Sequence, residues 1–237
     1  MKLELWKKPK KGAIIIEGFA GFGLVGTIAS EFLVDHLGAE QIGKLTSDKI
    51  PAIIAIHEGE VVEPYAIFYN EKHNLIILRA IGSVSGLEWD IAESTLNLAK
   101  EIGAKEIISI EGVGGVKDKI ENPKVFYYSN NPQKQKNFEK MGLKQMKEGI
   151  IVGVTASLLS KLKEATFLFA ESYADFPDSK AGAKIVEVLD KYLGLKVDYK
   201  PLVAKANQFE GKIRQLLAKG IETRKEKEIK ESENYIG

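Results

Sequence analysis

The sequence predicts an α/β domain, a mixed, mainly parallel sheet flanked by helices, followed by a C-terminal helix and tail. Three observations carry that expectation. Strand-length apolar runs alternate with amphipathic stretches over most of the 237 residues, the pattern of layered helices and strands. A glycine-rich turn joins the first apolar run to the first helix, as where a strand feeds a helix that packs back on its own sheet. A hairpin interrupts the alternation near the middle of the chain, so the sheet cannot be purely parallel.

The elements follow in order. Ala13-Ile14-Ile15-Ile16 reads as a buried strand. Gly18-Phe19-Ala20-Gly21-Phe22-Gly23-Leu24-Val25-Gly26 turns the chain into a helix that runs to Leu37, where Gly38 serves as C-terminal cap. Residues 41–46 and 52–57 are the next strands, the latter just after Pro51. Residues 60–69 and 74–79 form a hairpin around the polar turn Asn70-Glu71-Lys72-His73. Glu88-Trp89-Asp90 opens an amphipathic helix through Ile102, which Gly103 stops. A strand over 106–110 leads into a second glycine-rich bend, Glu111-Gly112-Val113-Gly114-Gly115-Val116. A strand at 125–129, a short helix at 133–141, a helix at 155–162 and a strand at 165–170 come next. The last helix of the domain runs to Tyr192, with Asp178 or Ser179 as its N-cap.

Residues 1–198 are therefore assigned to the domain and 199–237 to a C-terminal amphipathic helix and charged tail. Leu202, Ala206, Phe209, Ile213, Leu217 and Ile221 recur every three or four positions and form one apolar stripe. Beyond Ile221 the chain is almost wholly charged with both signs mixed, and it closes on Asn234-Tyr235-Ile236-Gly237. Such an arm reads either as a frayed terminal helix or as a tail that reaches a partner.

Composition narrows the function. A net charge of +1 argues against a nucleic-acid partner. The chain has no cysteine, which removes disulfides and thiolate chemistry. His36, His57 and His73 are the only histidines and lie far apart, so neither a metal centre nor a cofactor is expected. The opening residues Met1 to Lys8 contain no apolar core of a signal peptide, and no apolar run is long enough to span a bilayer. A cytoplasmic protein without a membrane partner is expected.

Several motifs compete for a role. Gly21-Phe22-Gly23-Leu24-Val25-Gly26 matches G-x-G-x-x-G between a strand and a helix, and Asp48 lies where a ribose-binding acid is expected. Gly21, Gly23 and Gly26 could thus cradle a nucleotide, or they could let a helix lie tight on the sheet. Packing is the favoured reading, because Phe19 and Phe22 crowd the turn and the later hairpin breaks the regular strand–helix order. The second glycine-rich bend reads as a sharp loop, and no G-K-[ST] follows it. Glu58-Gly59-Glu60 reads as solvated acids at a turn, His57 as a structural histidine, and Tyr127-Tyr128 as surface or interface packing. Ser83-Val84-Ser85-Gly86 lacks the G-x-S-x-G of a serine hydrolase. No catalytic constellation assembles, and the chain is expected not to be an enzyme.

Four blocks together resemble the proteasome assembly chaperone family, specifically its archaeal members. They are the turn from Gly18 to Gly26, the segment from Glu111 to Val116, Gly149-Ile150-Ile151-Val152-Gly153-Val154-Thr155-Ala156-Ser157-Leu158-Leu159, and Phe169-Ala170-Glu171-Ser172 followed by Phe176-Pro177-Asp178-Ser179-Lys180-Ala181-Gly182-Ala183. The resemblance spans residues 10–198. It implies a nucleoside-phosphorylase-like fold, no catalysis, self-association, and a role in building or regulating the proteasome core particle. Some archaeal relatives form rings and engage the core particle through C-terminal tails ending in an apolar residue, then tyrosine, then any residue. The resemblance therefore implies a homo-oligomer, a ring of about three to five subunits closed by heterologous contacts, with Tyr235, Ile236 and Gly237 as partner-binding residues. Phe209, Ile213 and Leu217 would support the helix that presents them. Here Tyr235 is third from the end and Asn234 precedes it, a departure that leaves a different protein partner, without proteasome binding, as an alternative.

Overall fold

The computed structural model describes residues 1–50, 54–57, 59–81, 85–114, 122–162, 164–172 and 177–204. The chain begins with strand β1 (Lys2–Leu5) and strand β2 (Ile14–Gly18), then a short 3-10 turn (Phe22–Leu24) and helix α1 (Val25–Leu37). Strands β3 (Glu40–Thr46), β4 (Ala55–His57), β5 (Glu60–Val62), β6 (Tyr65–Asn70) and β7 (Leu75–Ala80) precede helix α2 (Glu88–Ile102). Strands β8 (Glu106–Gly114) and β9 (Val125–Ser129), helix α3 (Pro132–Lys140) and the two-residue strand β10 (Lys144–Gln145) follow. Helix α4 (Gly153–Lys161), strand β11 (Thr166–Ser172), helix α5 (Ser179–Leu193) and helix α6 (Lys200–Ala204) complete the described chain.

One nine-stranded sheet organises these elements in the order β1-β3-β6-β7-β2-β8-β11-β9-β10. The central pairs β7–β2, β2–β8 and β8–β11 are parallel. Antiparallel pairs β1–β3, β3–β6 and β6–β7 extend one side, and β11–β9 begins the other. β4 and β5 form a separate two-stranded ribbon.

The strands sort their side chains by alternation, as a sheet covered on both faces requires. On β2, Ile16 joins a core with Ile28 and Leu33 of α1 and Ile185 and Leu189 of α5. Ile15 points the other way, into a core with Ile91 and Leu98 of α2 and Val154 and Leu158 of α4. The helices end as their sequences dictate. Gly38 and Gly103 take the left-handed conformation at φ 58° after α1 and α2, which costs a residue without Cβ little. Asp178 caps α5 by accepting the Ala181 amide at 2.9 Å.

Three expectations need correction, and two short strands were not expected. The segment read as a sharp bend from Glu111 continues β8 through Gly114, because Gly112 leaves room for the Phe22 carbonyl, which a Cβ would meet at 2.1 Å. The strand expected over 60–69 divides at Glu63-Pro64 into β5 and β6, since proline cannot donate to a ladder. Tyr127 is fully buried and stacks on Phe138 at 5.1 Å, while Tyr128 faces out; alternation along β9 separates the two. β1 and β10 are too short to read from pattern.

Candidate functional site

The glycine turn sits at the carboxyl ends of β2 and β8. Its conformation is unusual: Gly23 has φ 61° and Leu24 has φ 51°, the latter a left-handed conformation that a branched side chain adopts only when neighbours hold it there. Three elements do so. The Glu111 carboxylate on β8 accepts the Phe22 amide at 2.8 Å and its own neighbour's Gly112 amide at 3.2 Å. The Gly23 carbonyl accepts the Asp178 amide at the start of α5 at 3.0 Å. Glu17, the fourth residue of β2, accepts the Phe19 amide at 3.1 Å.

The glycines serve close approach. A Cβ on Gly21 would lie 2.0 Å from the Glu111 carboxylate oxygen, and one on Gly26 would lie 2.8 Å from the Ile110 and Phe19 carbonyls. A Cβ on Gly182 would meet Ile28 at 2.7 Å where α5 crosses α1. The turn thus holds a carboxylate of its own chain where a phosphate-binding turn would present a free amide. Asp48, the expected ribose partner, follows β3, which β6 and β7 separate from β2; the fold does not bring it to the turn.

Behind the turn lies a buried polar cluster that sequence reasoning did not assemble. Glu17, Ser109, Glu111 and Thr155 are all at most 7% exposed. Ser109 hydrogen-bonds to the Glu17 carboxyl and lies 3.1 Å from Thr155, which contacts Glu111 Oε2 at 3.1 Å. Burial pushes the Glu17 carboxyl up to about 7. Burial, and then the neighbouring Glu17 charge, pushes Glu111 up to about 8. The signal was present: Glu17 closes an isoleucine run, and Ser109 and Glu111 alternate with isoleucines, so acidic and hydroxyl groups had to share one covered face.

The fold has counterparts among known proteins. A model of the PAC2 family matches residues 15–217. The chain belongs to the PAC2 family. PbaA of Pyrococcus furiosus, described as an archaeal homolog of proteasome-assembly chaperone, is 32% identical, with 94% of this chain and 100% of that one aligned at a TM-score of 0.84. PbaB of the same organism, described as an archaeal proteasome activator, is 24% identical, with 91% and 98% aligned at a TM-score of 0.73, and shows the shared fold. An uncharacterized protein of Methanocaldococcus jannaschii is 27% identical over 210 residues, 86% of this chain and 84% of its own.

In this PAC2 chain the opposite sheet face carries a buried ion pair, Arg79 of β7 with Glu31 of α1 at 2.7 Å. The Arg79 guanidinium also stacks over Phe68 at 4.5 Å. Apolar side chains crowd two surface sites. Ile54, just before β4, and Ile56 and Val61 of the β4–β5 ribbon are 53%, 72% and 57% exposed, and Ile150 and Val152 before α4 are 93% and 65% exposed. Among the described residues no group of three or more His, Asp or Glu could hold a metal ion, and no helix is long and apolar enough to cross a membrane. Glu63 pairs with Lys44 at 2.9 Å. Glu58, Ser83, Val84, Gly115, Val116 and Phe176, together with Phe209, Ile213, Leu217, Tyr235, Ile236 and Gly237, lie outside the described residues.

Proposed function

We propose that this chain is a non-catalytic homo-oligomer that assists assembly or regulation of the proteasome core particle by protein–protein contact in the cytoplasm. The observation that carries the reading is the likeness to PbaA along the length of both chains. Two further features support it. Exposed apolar side chains on the β4–β5 ribbon and before α4 suit a protein whose surface is covered by neighbours. The apolar stripe through Phe209, Ile213 and Leu217 and the terminal Tyr235, Ile236 and Gly237 suit a tail that docks. Several tails on one ring act through avidity, so each contact can be weak.

Native mass spectrometry of the full chain with a purified archaeal core particle tests this. A closed oligomer that adds to the core particle, and fails to add after Tyr235→Ala, is the expected result. A monomer, or a closed oligomer that ignores the core particle at all concentrations, overturns the proteasome reading. Asn234, which stands before Tyr235 where the resemblance expects an apolar residue, favours one second reading, an oligomeric scaffold for a different protein. Nucleotide binding at Gly21, Gly23 and Gly26 has less support, because Glu111 already engages the Phe22 amide. A thermal shift by dinucleotides or nucleosides would restore it.

A further inference from the structure

Four oxygen-bearing side chains behind the glycine turn form an unbranched chain: Glu17 Oε2, Ser109 Oγ, Thr155 Oγ1 and Glu111 Oε2. Three contacts link them, and each contact needs one proton between its oxygens. Ser109 and Thr155 supply one hydroxyl proton each. The remaining carboxylate oxygens are committed, Oε1 of Glu17 to the Phe19 amide and Oε1 of Glu111 to the Phe22 and Gly112 amides.

The proton count selects a state. With both carboxyls ionised, two protons serve three contacts, and two buried negative charges face each other across a gap between lone pairs. With both protonated, four protons serve three contacts, and one buried O–H has no acceptor. With one proton on the pair, every contact is made. Either end can hold it, because reversing both hydroxyls moves the donor from Glu17 to Glu111. Such mismatches are costly where water is excluded.

We infer that Glu17 and Glu111 share a single proton through Ser109 and Thr155, and that this shared proton latches α4 and the glycine turn to the sheet. Ser109 and Glu111 come from β8, Glu17 from β2 and Thr155 from α4, while the Phe19 and Phe22 amides belong to the turn. Losing the proton therefore loosens three elements at once.

Among the described residues, the charged groups of the surrounding elements, Glu88 apart, have partners elsewhere. Arg79 of β7 pairs with Glu31 of α1 on the other sheet face. Glu171 of β11 accepts the Lys124 amide. Lys161 of α4 reaches Glu93 and the Trp89 ring, and Asp90 of α2 pairs with Lys49. Asp178, at the head of α5, accepts the Ala181 amide and the Ser172 hydroxyl. Glu88 is half-buried in the first turn of α2.

The sign follows from the raised carboxyls. Both lie above their ordinary value of 4.5 in the folded chain, at about 7 and about 8. The pair therefore gives up its proton, and stability falls, as pH rises through that window. The pair lies in the body of the fold and holds its proton whatever partner the chain takes.

The test is carbon-13 NMR of the full chain labelled at glutamate carboxyls, with melting temperature followed from about pH 5 to about pH 9. The expected spectrum at neutral pH shows one protonated carboxyl shared by two sites, and wild-type stability falls above neutrality. In Glu17→Gln one amide N–H donates to Ser109 as the acid would, and the second N–H, which has no acceptor in the chain, sets a fixed cost that does not change with pH. That variant keeps its melting temperature across the same window and exceeds wild type above about pH 8. In the double variant Glu17→Gln/Glu111→Gln both ends of the chain donate inward, one hydroxyl proton is left without an acceptor, and the protein melts below Glu17→Gln at every pH. Two ionised carboxyls at neutral pH in the wild-type spectrum, or parallel pH profiles for wild type and Glu17→Gln, overturn the inference. The spectrum decides even if a variant does not fold.

Discussion

The Glu111 carboxylate accepts the Phe22 amide at 2.8 Å across 89 residues of sequence. That one contact explains why a strand, a glycine turn and a helix meet so closely. An internal anion sits at the turn, and Gly21 has no side chain because the anion occupies its place. Function in this chain is therefore sought at its surfaces, where apolar side chains remain uncovered.

Gly21→Ala and Gly112→Ala should differ in cost. A Cβ on Gly21 meets the end of a side chain, whereas one on Gly112 meets the Phe22 backbone carbonyl. A carboxylate can withdraw at the expense of its hydrogen bonds, about 1–3 kcal/mol. A backbone carbonyl cannot move without shifting the turn, so Gly112→Ala is expected to cost more than about 3 kcal/mol or to prevent folding. Urea unfolding measures both. Equal costs would mean that the turn is not pinned as described.

The same turn shows what sequence could and could not reveal. The strand–helix junction, the extent of α2 from Glu88 to Ile102 and the Gly103 cap were legible, because a 3.6-residue period and a terminal glycine are local signals. The course of β8 past Ile110 was not. Whether Gly112 marks a bend or a close approach depends on Phe22, far away in sequence. The Glu17–Glu111 cluster was invisible for a related reason: alternation places each acid on a face, but only the parallel pairing of β2 with β8, which sets Glu17 opposite Ser109, brings both acids into one cluster.

The Arg79–Glu31 pair should behave as a buried ion pair does. Both side chains are under a tenth exposed, so Glu31→Gln leaves the guanidinium without its charge partner in the core. A loss of about 3–5 kcal/mol is expected. Replacing both, as Glu31→Leu with Arg79→Met, should cost less than Glu31→Gln alone. Equilibrium unfolding of the three variants checks this. A double replacement costlier than the single one would show that the charges stabilise the fold outright.

Tyr192→Phe should cost about 1 kcal/mol. The Tyr192 hydroxyl lies 3.1 Å from Glu106 Oε2, and burial raises its pKa above the ordinary range. Glu106 keeps Lys134 at 2.9 Å and the Thr166 hydroxyl as partners, so it is not left bare. Thermal unfolding of Tyr192→Phe against Glu106→Gln separates the two contributions, and Glu106→Gln should be worse because it also strips Lys134 of its counter-charge.

The tail yields the sharpest prediction about partners. If Tyr235 docks in a pocket that reads both its ring and a terminal carboxylate, then a polypeptide ending at Gly237 presents that carboxylate one residue too far from the ring. Deleting Gly237 makes tyrosine the second residue from the end, and adding Asn234→Leu places an apolar side chain before it. A buried carboxylate that finds its donor is worth about 1–3 kcal/mol per tail, and several tails on one ring multiply the gain. The shortened chain should therefore bind the core particle at least about tenfold more tightly than the chain ending at Gly237. Surface plasmon resonance on immobilised core particle measures the difference. An unchanged affinity, with Tyr235→Ala also silent, would move the proposed contact from the tail to the exposed apolar faces around Ile56 and Ile150.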